Sequence, residues 1–270
     1  MKILNLLPKR EQNSNKGSFG TVLNISGSKQ YSGAAVLSGI AALRCGAGKV
    51  ITCSTQNTLN AVSQFAPEIV LQLREDIDFK NINSIVLGCG LSQDEEATEL
   101  VKKVLKMRAD IPLVIDADGL NILAKLEVTT LPKNTILTPH PKEMARLMKI
   151  SLEKVLNYPN EVIEQCVEKY NCVVVLKKHN TLIMDTNKET YINNTGNSAL
   201  AKAGSGDVLA GMIGGFLAQG LTCYNSSVLA VYLHGLAGEL AAEKYSEYSV
   251  LAGELLKYIG YAIKKVQKEA

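Results

Sequence analysis

The chain has 270 residues, of which 46% are hydrophobic and 20% are charged, a composition that is typical of a folded protein and excludes a disordered or fibrous one. Its 29 basic and 26 acidic residues leave a net charge of only +3, and no run of like charges marks a basic face, which disfavours nucleic acid as a partner. The longest apolar stretch, residues 208–218, contains three glycines and is shorter than the roughly 20 residues of a membrane span, so we expect no membrane partner.

The N-terminal segment does not look like a secretory signal, because Pro8-Lys9-Arg10 ends its short apolar patch. The six cysteines are scattered with no C-x-x-C pair, and most lie in apolar periodic segments, which disfavours disulfides and a zinc site. We therefore expect a cytoplasmic protein with no protein-built metal site, in which any metal would be Mg²⁺ carried in with phosphates.

Short β-branched and apolar runs alternate along the chain with longer segments of helical periodicity. Strands are predicted at 21–26, 49–55, 85–87, 113–116, 135–138 and 173–176, followed by a hairpin of 181–184 and 190–192. Helices are predicted at 33–45, 56–65, 94–107, 142–148, 160–170, 199–219, 226–245 and 250–268. Repeated strand, helix, strand units build parallel sheets. We therefore expect one α/β domain over residues 1–270, with helices on both faces of a mostly parallel central sheet.

A glycine-rich segment, Asn194–Asp207, stands directly before an apolar helical run. Gly204 and Gly206 allow a tight turn, and the N–H groups of Ser205, Gly206 and Asp207 are expected to stay unpaired at a helix start, where the helix dipole favours an anion. The pattern predicts a phosphate-binding turn with Asp207 as a proton acceptor beside it. A plain turn with Asp207 as the helix N-cap explains the same spacing.

Two familiar nucleotide motifs are absent from the sequence. Gly46-Ala-Gly-Lys49 lacks the Ser or Thr and the upstream glycine of a P-loop. Gly204-x-Gly206 lacks the third glycine and the distant acidic residue of a dinucleotide-binding fingerprint. Neither a P-loop nor a Rossmann site is supported.

Further polar residues follow predicted strands, where open parallel sheets bind their ligands. Asp116 and Asp118 either present oxygens toward Mg²⁺ or a ligand hydroxyl, or cap the next helix. His140, held between two prolines before a helix, is either a ligand contact or simply exposed.

The loop that follows the predicted strand 173–176 admits two interpretations. Lys177 and Thr181 either meet a phosphate and a nucleotide, or belong to a solvated turn. His234 lies in an alanine- and leucine-rich helical segment and is interpreted as a packing residue.

In their order and spacing these motifs resemble the ADP- or ATP-dependent NAD(P)H-hydrate dehydratases, a branch of the ribokinase-like superfamily. The matching segments, which span nearly the whole chain, are Lys16–Gly20, Tyr31–Ala35, Ala42–Gly48, Gly88–Gly90, Asp116–Asn121, Thr138–Glu143, Leu176–Lys177, Asn194–Asn197 and Ala203–Asp207. The resemblance implies a three-layer α/β/α ribokinase-like fold. It also implies a repair reaction, in which the S-epimer of hydrated NADH or NADPH is dehydrated at the expense of ADP or ATP, giving AMP or ADP and phosphate.

The resemblance also implies roles for individual residues. The hydrated dinucleotide would contact Ala35, Gly90, His140 and Asp207, and Asp207 would be the catalytic base. The adenine nucleotide, with Mg²⁺ bridging its oxygens, would be held by Lys177, Lys178, His179, Asn180, Thr181, Gly204, Ser205 and Gly206. No residue is assigned as a direct metal ligand.

The sequence departs from the family pattern in a few places. Lys178 stands where the family commonly has glycine, Cys89 stands in a Gly-Pro-Gly motif, and Ser205 in a Gly-Thr-Gly-Asp motif. The chain begins too close to Lys16 to hold the epimerase domain of many relatives, so a separate epimerase is expected. Relatives imply a homotetramer, and standalone forms imply ADP as the donor.

Two other functions remain open from the residues alone. One is a kinase of the same superfamily that phosphorylates a thiazole or pyrimidine alcohol with the same anion site and base. The other is a nucleotide-sensing protein without turnover. A carboxylate beside a phosphate site is electrostatically unfavourable, which favours a catalytic role for it over this alternative.

Overall fold

The computed structural model describes residues 3–107 and 110–268. The strands in this part of the chain are β1 Thr21–Ile25, β2 Lys49–Ser54, β3 Val70–Leu73, β4 Ser84–Leu87, β5 Leu113–Ile115, β6 Thr135–Leu137, β7 Val173–Leu176, β8 Leu182–Met184 and β9 Thr190–Ile192. The α-helices are α1 Ser32–Arg44, α2 Gln56–Phe65, α3 Glu95–Leu105, α4 Asp118–Leu126, α5 Pro141–Met148, α6 Leu152–Asn157, α7 Pro159–Tyr170, α8 Ser205–Ala218, α9 Cys223–Tyr245 and α10 Ala252–Lys268.

The strands form one sheet in the order β3-β2-β1-β4-β5-β6-β7-β8-β9. Every pair from β3 across to β7 is parallel, whereas β8 and β9 continue the sheet as antiparallel neighbours. Because parallel strands end at the same edge, the loops after β1, β4, β5, β6 and β7 gather there.

Helices cover both faces of the sheet and bury a separate apolar core on each. One core joins the sheet to α1, α8, α9 and α10, and the other joins it to α3, α4, α5 and α7. The predicted three-layer arrangement with a mostly parallel sheet is therefore confirmed. Within residues 3–107 and 110–268, no helix has both the length and the apolar character that crossing a bilayer requires.

The differences from the predicted elements have local causes. β3 is an edge strand with half-exposed side chains, so it lacks the continuous buried run of the other strands. α4 begins within three residues of β5 and carries Gly119 in its first turn, which weakens its helical pattern. α6 has only 6 residues, too few to show a helical period.

The predicted helix 199–219 is wrong in its first part. A 3-10 turn at Ser198–Leu200 is followed by an irregular segment, and α8 begins only at Ser205. α8 is apolar on all sides and lies between the sheet and the helices α1 and α9. This packing fixes the N-terminus of α8 at the carboxyl edge of the strands.

Candidate active site

The start of α8 presents free backbone N–H groups at the carboxyl edge of the sheet. Its N-cap, Gly204, has φ +92°, and an added Cβ would lie 2.6 Å from Leu37 Cδ1, so only glycine fits without strain. The N–H groups of Gly206 and Asp207 have no hydrogen-bond partner among the described residues. Paired free amides at a helix N-terminus make an anion-binding site.

The structure corrects two sequence expectations at this turn. The N–H of Ser205 is not free, because it donates to the carbonyl of Lys202 at 3.2 Å. Asp207 is not the N-cap, since it lies in the first turn of α8 after Gly204. The interpretation of Asp207 as a mere capping residue is therefore wrong.

The ammonium group of Lys177 projects over this anion site. Its Nζ donates to Asp116 Oδ1 at 2.5 Å and lies 4.0 Å from Glu143 Oε2. A Cβ on Gly206 would lie 3.4 Å from the same Nζ. Burial alone would lower the pKa of Lys177, but the two carboxylates outweigh it and hold the pKa above its ordinary value. Lys177 is therefore a charged donor beside the free amides.

Asp207 is half-buried, and the Lys177 ammonium group is near enough to influence its pKa. Burial, followed by the nearby Asp116 carboxylate, raises the pKa of Asp207 to about 6, although a hydrogen bond from the Cys89 thiol and the charge of Lys177 oppose the shift. A carboxylate whose pKa lies close to neutral is suited to general-base catalysis. The start of α8 thus carries an anion site and a tuned proton acceptor side by side.

His140 and Glu143 cap α5 at the edge of this charged cluster. His140 Nδ1 accepts from the N–H groups of Lys142 and Glu143 at 3.1 and 3.2 Å, and Glu143 Oε2 accepts from the His140 N–H at 2.8 Å. Since Nδ1 accepts, the neutral ring carries its hydrogen on Nε2. Burial, then Lys177, lowers the pKa of His140, so a neutral ring is favoured.

Sequence reasoning missed Glu143, which lies within the Thr138–Glu143 motif but was given no role. Its carboxylate is buried, and burial raises its pKa to about 7 against the opposing charge of Lys177. The signal that could have found it is its position three residues after the capping histidine, where a capping-box partner belongs.

A cavity of about 830 Å³ opens beside the anion site, a size suited to a nucleotide-scale ligand. The predicted site residues on its wall are His140, Lys177, Lys178, His179, Asn180, Thr181, Ser205 and Gly206. Gly204 is not on the cavity wall, and its contribution is the left-handed N-cap conformation that starts α8. The wall residues that sequence reasoning gave no individual role include Thr195, Asn197, Leu209, Val231 and His234.

His234 has a more specific position than a packing residue. It is buried at 7% exposure, but its Nε2 lies 3.2 Å from Ser205 Oγ and its side chain forms part of the cavity wall. Its helix, α9, is apolar on most sides, and nothing in the local pattern distinguishes a core histidine from one that faces a cavity.

Ala35 and Gly90 lie outside the cavity wall. Ala35 is fully buried, and its carbonyl already accepts from Asn24 Nδ2 at 3.1 Å. Gly90 has φ +58°, and an added Cβ would lie 2.7 Å from the Cβ atoms of Ala34 and Tyr31. Cys89, next to Gly90, donates to Asp207, which places the loop after β4 beside the base.

The two aspartates after β5 have different tasks. Asp116 pairs with Lys177, whereas Asp118 accepts from the Ser92 N–H and the Gln93 side chain, both at 2.9 Å, and ties down the loop after β4. In the described part of the chain no three His, Cys, Asp or Glu side chains form a group that could hold a metal ion. The carboxyl oxygens of Asp116, Glu143 and Asp207 around Lys177 are of the kind that Mg²⁺ accepts, and the phosphates of a nucleotide would supply further oxygens.

Comparison with known proteins decides the family. A family model described as NAD(P)H-hydrate dehydratase matches residues 22–260. The chain belongs to the NAD(P)H-hydrate dehydratase family. The ADP-dependent (S)-NAD(P)H-hydrate dehydratase of Neisseria meningitidis is 40% identical to it over 253 residues, which are 91% of this chain and 86% of that protein.

A solved structure agrees with this membership in the dehydratase family. A crystal structure of the ADP/ATP-dependent NAD(P)H-hydrate dehydratase of Bacillus subtilis, co-crystallised with ATP and Mg²⁺, matches with a TM-score of 0.89 at 32% identity and covers 98% of this chain and 96% of that one. The resemblance inferred from the motifs is confirmed.

The family also contains longer proteins. The bifunctional NAD(P)H-hydrate repair enzyme of Moorella thermoacetica is 35% identical over 280 residues, which are 97% of this chain and 53% of that enzyme. The chain thus spans about half the length of this bifunctional relative.

Proposed function

We propose that this chain is an ADP-dependent dehydratase that returns the S-epimer of hydrated NADH or NADPH to NADH or NADPH and releases AMP and phosphate. The observation that carries the proposal is the start of α8, where two free amides and the Lys177 ammonium surround an anion site next to Asp207. The dehydratase names of the relatives favour this reaction over a kinase that keeps its phosphorylated product.

In this proposal Asp207 takes the proton from the hydroxyl of the hydrated ring while the hydroxyl oxygen attacks the terminal phosphoryl group of ADP. The bond between that phosphorus and the bridging oxygen of AMP breaks, and AMP leaves. Hydroxide is a poor leaving group, whereas the phosphate ester formed in this step departs as phosphate. The ring-nitrogen lone pair drives that departure, and loss of a ring proton restores the double bond.

The anion site contributes chiefly through electrostatics. The N–H groups of Gly206 and Asp207, with Lys177, would stabilise the charge on the phosphoryl group in transfer. Asp116 and Glu143 hold Lys177 in place, and together with Asp207 they are the carboxyl groups of this site that would accommodate Mg²⁺ bound to the nucleotide. Bound Mg²⁺ would neutralise phosphate charge.

His140 and the loop 177–181 would bind the two ligands. The neutral His140 ring, whose Nε2 lies 3.4 Å from Glu143 Oε1, stands at the cavity wall and would contact the hydrated dinucleotide. Lys178, His179 and Asn180 are exposed at the cavity mouth and would contact the nucleotide. Lys178 in place of glycine adds a positive charge there, which suits a phosphate.

The wider setting belongs to the same proposal. One sheet shared by both cores supports a single dehydratase domain over residues 1–270. A bifunctional relative supports an epimerase acting alongside this dehydratase. The unpaired state of all six cysteines suits a reducing compartment, the cytoplasm. A homotetramer is the assembly we expect.

The test is incubation of the protein with hydrated NADH and ADP or ATP, in separate reactions, while the absorbance of the dihydronicotinamide ring is followed. We expect recovery of that absorbance, fastest with ADP. Asp207→Asn is expected to bind nucleotide but lose at least about 100-fold in kcat, as general bases contribute. Asp78→Asn, which changes an exposed carboxylate in the loop after β3, is the matched control.

Two results would contradict the proposal. Accumulation of a phosphorylated thiazole or pyrimidine alcohol without recovery of absorbance would favour the kinase reaction. Unchanged turnover in Asp207→Asn would remove the base from the mechanism.

A further inference from the structure

His234 is a buried imidazole whose ring faces the first residue of α8. Its Nε2 lies 3.2 Å from Ser205 Oγ, and both residues form part of the wall of the 830 Å³ cavity. The mechanism above uses the backbone of the turn that contains Ser205 but neither of these two side chains.

The ring is neutral at any pH near 7. Burial is the largest influence and lowers the pKa of His234 to about 4, a hydrogen bond with the Ser205 backbone opposes the shift, and the charge of Lys177 adds to it. A neutral imidazole has one N–H and one acceptor nitrogen. At its 3.2 Å contact with Ser205 Oγ, Nε2 is therefore either the donor or the acceptor, depending on the tautomer.

The tautomer of His234 decides whether the Ser205 hydroxyl donates to the ring or remains free to donate to a ligand. If Nε2–H donates to Ser205 Oγ, one lone pair of that oxygen is filled and the O–H remains available as a donor. The backbone N–H of Ser205 is already used by Lys202, so the hydroxyl is what this residue can offer to a ligand. Gly206, whose N–H is free, follows directly in the chain.

We propose that His234 is a positioning residue that holds the Ser205 hydroxyl as an additional hydrogen-bond donor to a phosphate of the bound nucleotide. The proposal rests on the proposed function in that it takes the anion at this turn to be the adenine nucleotide. It assigns a side-chain donor to an anion site that otherwise consists of backbone amides and Lys177.

The test measures nucleotide affinity and turnover separately in four variants. Ser205→Ala and His234→Phe are each expected to weaken ADP binding by roughly ten- to a hundredfold, as loss of a hydrogen bond to a charged group does. Ser205→Thr and His234→Gln keep a hydroxyl and a side-chain N–H donor, so both are expected to restore most of the affinity. Dissociation constants come from calorimetric titration with ADP, and with ATP in a separate series.

The double variant Ser205→Ala/His234→Phe makes the test specific. If His234 acts through Ser205, the double variant binds ADP no more weakly than Ser205→Ala alone, because the second change removes a partner that is already gone. Ser227→Ala, which removes another buried serine hydroxyl outside the cavity wall, is the control for loss of a buried hydroxyl. Thermal unfolding shows whether each variant is folded.

Nitrogen NMR of the histidine ring gives a readout that a purely structural role would not predict. We expect Nε2 to be protonated and Nδ1 unprotonated from pH 6 to 8. An Nδ1–H tautomer, additive losses in the double variant, or folded His234→Phe with unchanged ADP affinity would each overturn the proposal. Normal results here together with no dehydration of hydrated NADH would instead refute the proposed reaction and leave the His234–Ser205 pair standing.

Discussion

Replacing Lys177 with methionine removes the positive charge that faces the anion site and both neighbouring carboxylates. In the native structure its Nζ is 2.5 Å from Asp116 Oδ1 and close to the free amides of α8. Asp116 is buried and would be left in Lys177→Met without its counter-charge. The variant should therefore lose both stability and activity, for two separable reasons.

The stability loss follows from the orphaned carboxylate. Breaking a buried ion pair by removing one partner costs about 3–5 kcal/mol, and the lower end of that range, about 3 kcal/mol, applies because the Lys177 side chain is 19% exposed. The activity loss follows from the missing donor at the phosphoryl group. Loss of one such electrostatic donor lowers kcat by about 100- to 1000-fold.

The assay combines urea unfolding with initial rates of dehydration for Lys177→Met, Asp116→Asn and the double variant. Asp116→Asn in the Lys177→Met background removes the unpaired charge while keeping the size of the side chain. We expect the double variant to regain at least half of the lost free energy of unfolding. Its kcat should stay as low as in Lys177→Met, because the donor to the phosphoryl group is still missing.

The separation between the two effects is what tests the reasoning. A double variant that unfolds as easily as Lys177→Met would show that the pairing of Lys177 with Asp116 does not explain the stability loss. Near-native kcat in a folded Lys177→Met protein would show that Lys177 does not face the phosphoryl group at all.

Two further predictions use the same helix start. Burial raises the pKa of Asp207 to about 6, above its unfolded value, so the folded state binds the extra proton and Asp207 destabilises the protein increasingly as the pH rises from about 4 to 6. Asp207→Asn should therefore raise the free energy of unfolding by about 1–3 kcal/mol at pH 7, with no gain below pH 4. A gain in stability that persists at pH 3 would contradict this assignment. In the native enzyme, kcat/KM should fall as the pH drops through 6. Gly204 has φ +92°, and a new Cβ would lie 2.6 Å from Leu37 Cδ1, so Gly204→Ala should lower the free energy of unfolding by about 1–3 kcal/mol and weaken ADP binding. The control Gly253→Ala, with no atom within 4 Å of its Cβ, should change neither the free energy of unfolding in urea nor the ADP affinity from titration. Equal losses in both variants would refute the argument from the turn.

The parts of the site that lie in one short segment could be predicted from the sequence. The glycines directly before a helix start predict the Gly204–Asp207 turn. The loop after β7 admits two interpretations from its residues, and its nucleotide-binding role comes from the family resemblance. Local chemistry fixes what such segments do, and strand order then brings them to one edge of the sheet.

What depends on contacts between distant segments could not be predicted. Lys177 and Asp116 are 61 residues apart, and Ser205 and His234 are 29 apart, so neither pair leaves a spacing signal. The Ser205 N–H is a local exception, because its partner, the carbonyl of Lys202, lies in an irregular segment that interrupts the predicted helix. β3 was missed because an edge strand has no reason to be apolar on both faces.

The raised pKa of Asp207 is the balance of opposing electrostatic effects at the start of α8. A carboxylate in the first turn of a helix is normally stabilised by the helix dipole, and here Lys177 and the Cys89 thiol add to that effect. Burial and the Asp116 carboxylate outweigh them, so Asp207 already has a raised proton affinity in the absence of ligand. A bound nucleotide brings further negative charge to the adjacent amides and must raise that affinity again. Nucleotide charge at the amides and the proton on Asp207 are therefore coupled, and the positive charge of Lys177, with that of bound Mg²⁺, would limit the rise so that Asp207 stays ionised and able to accept the substrate proton.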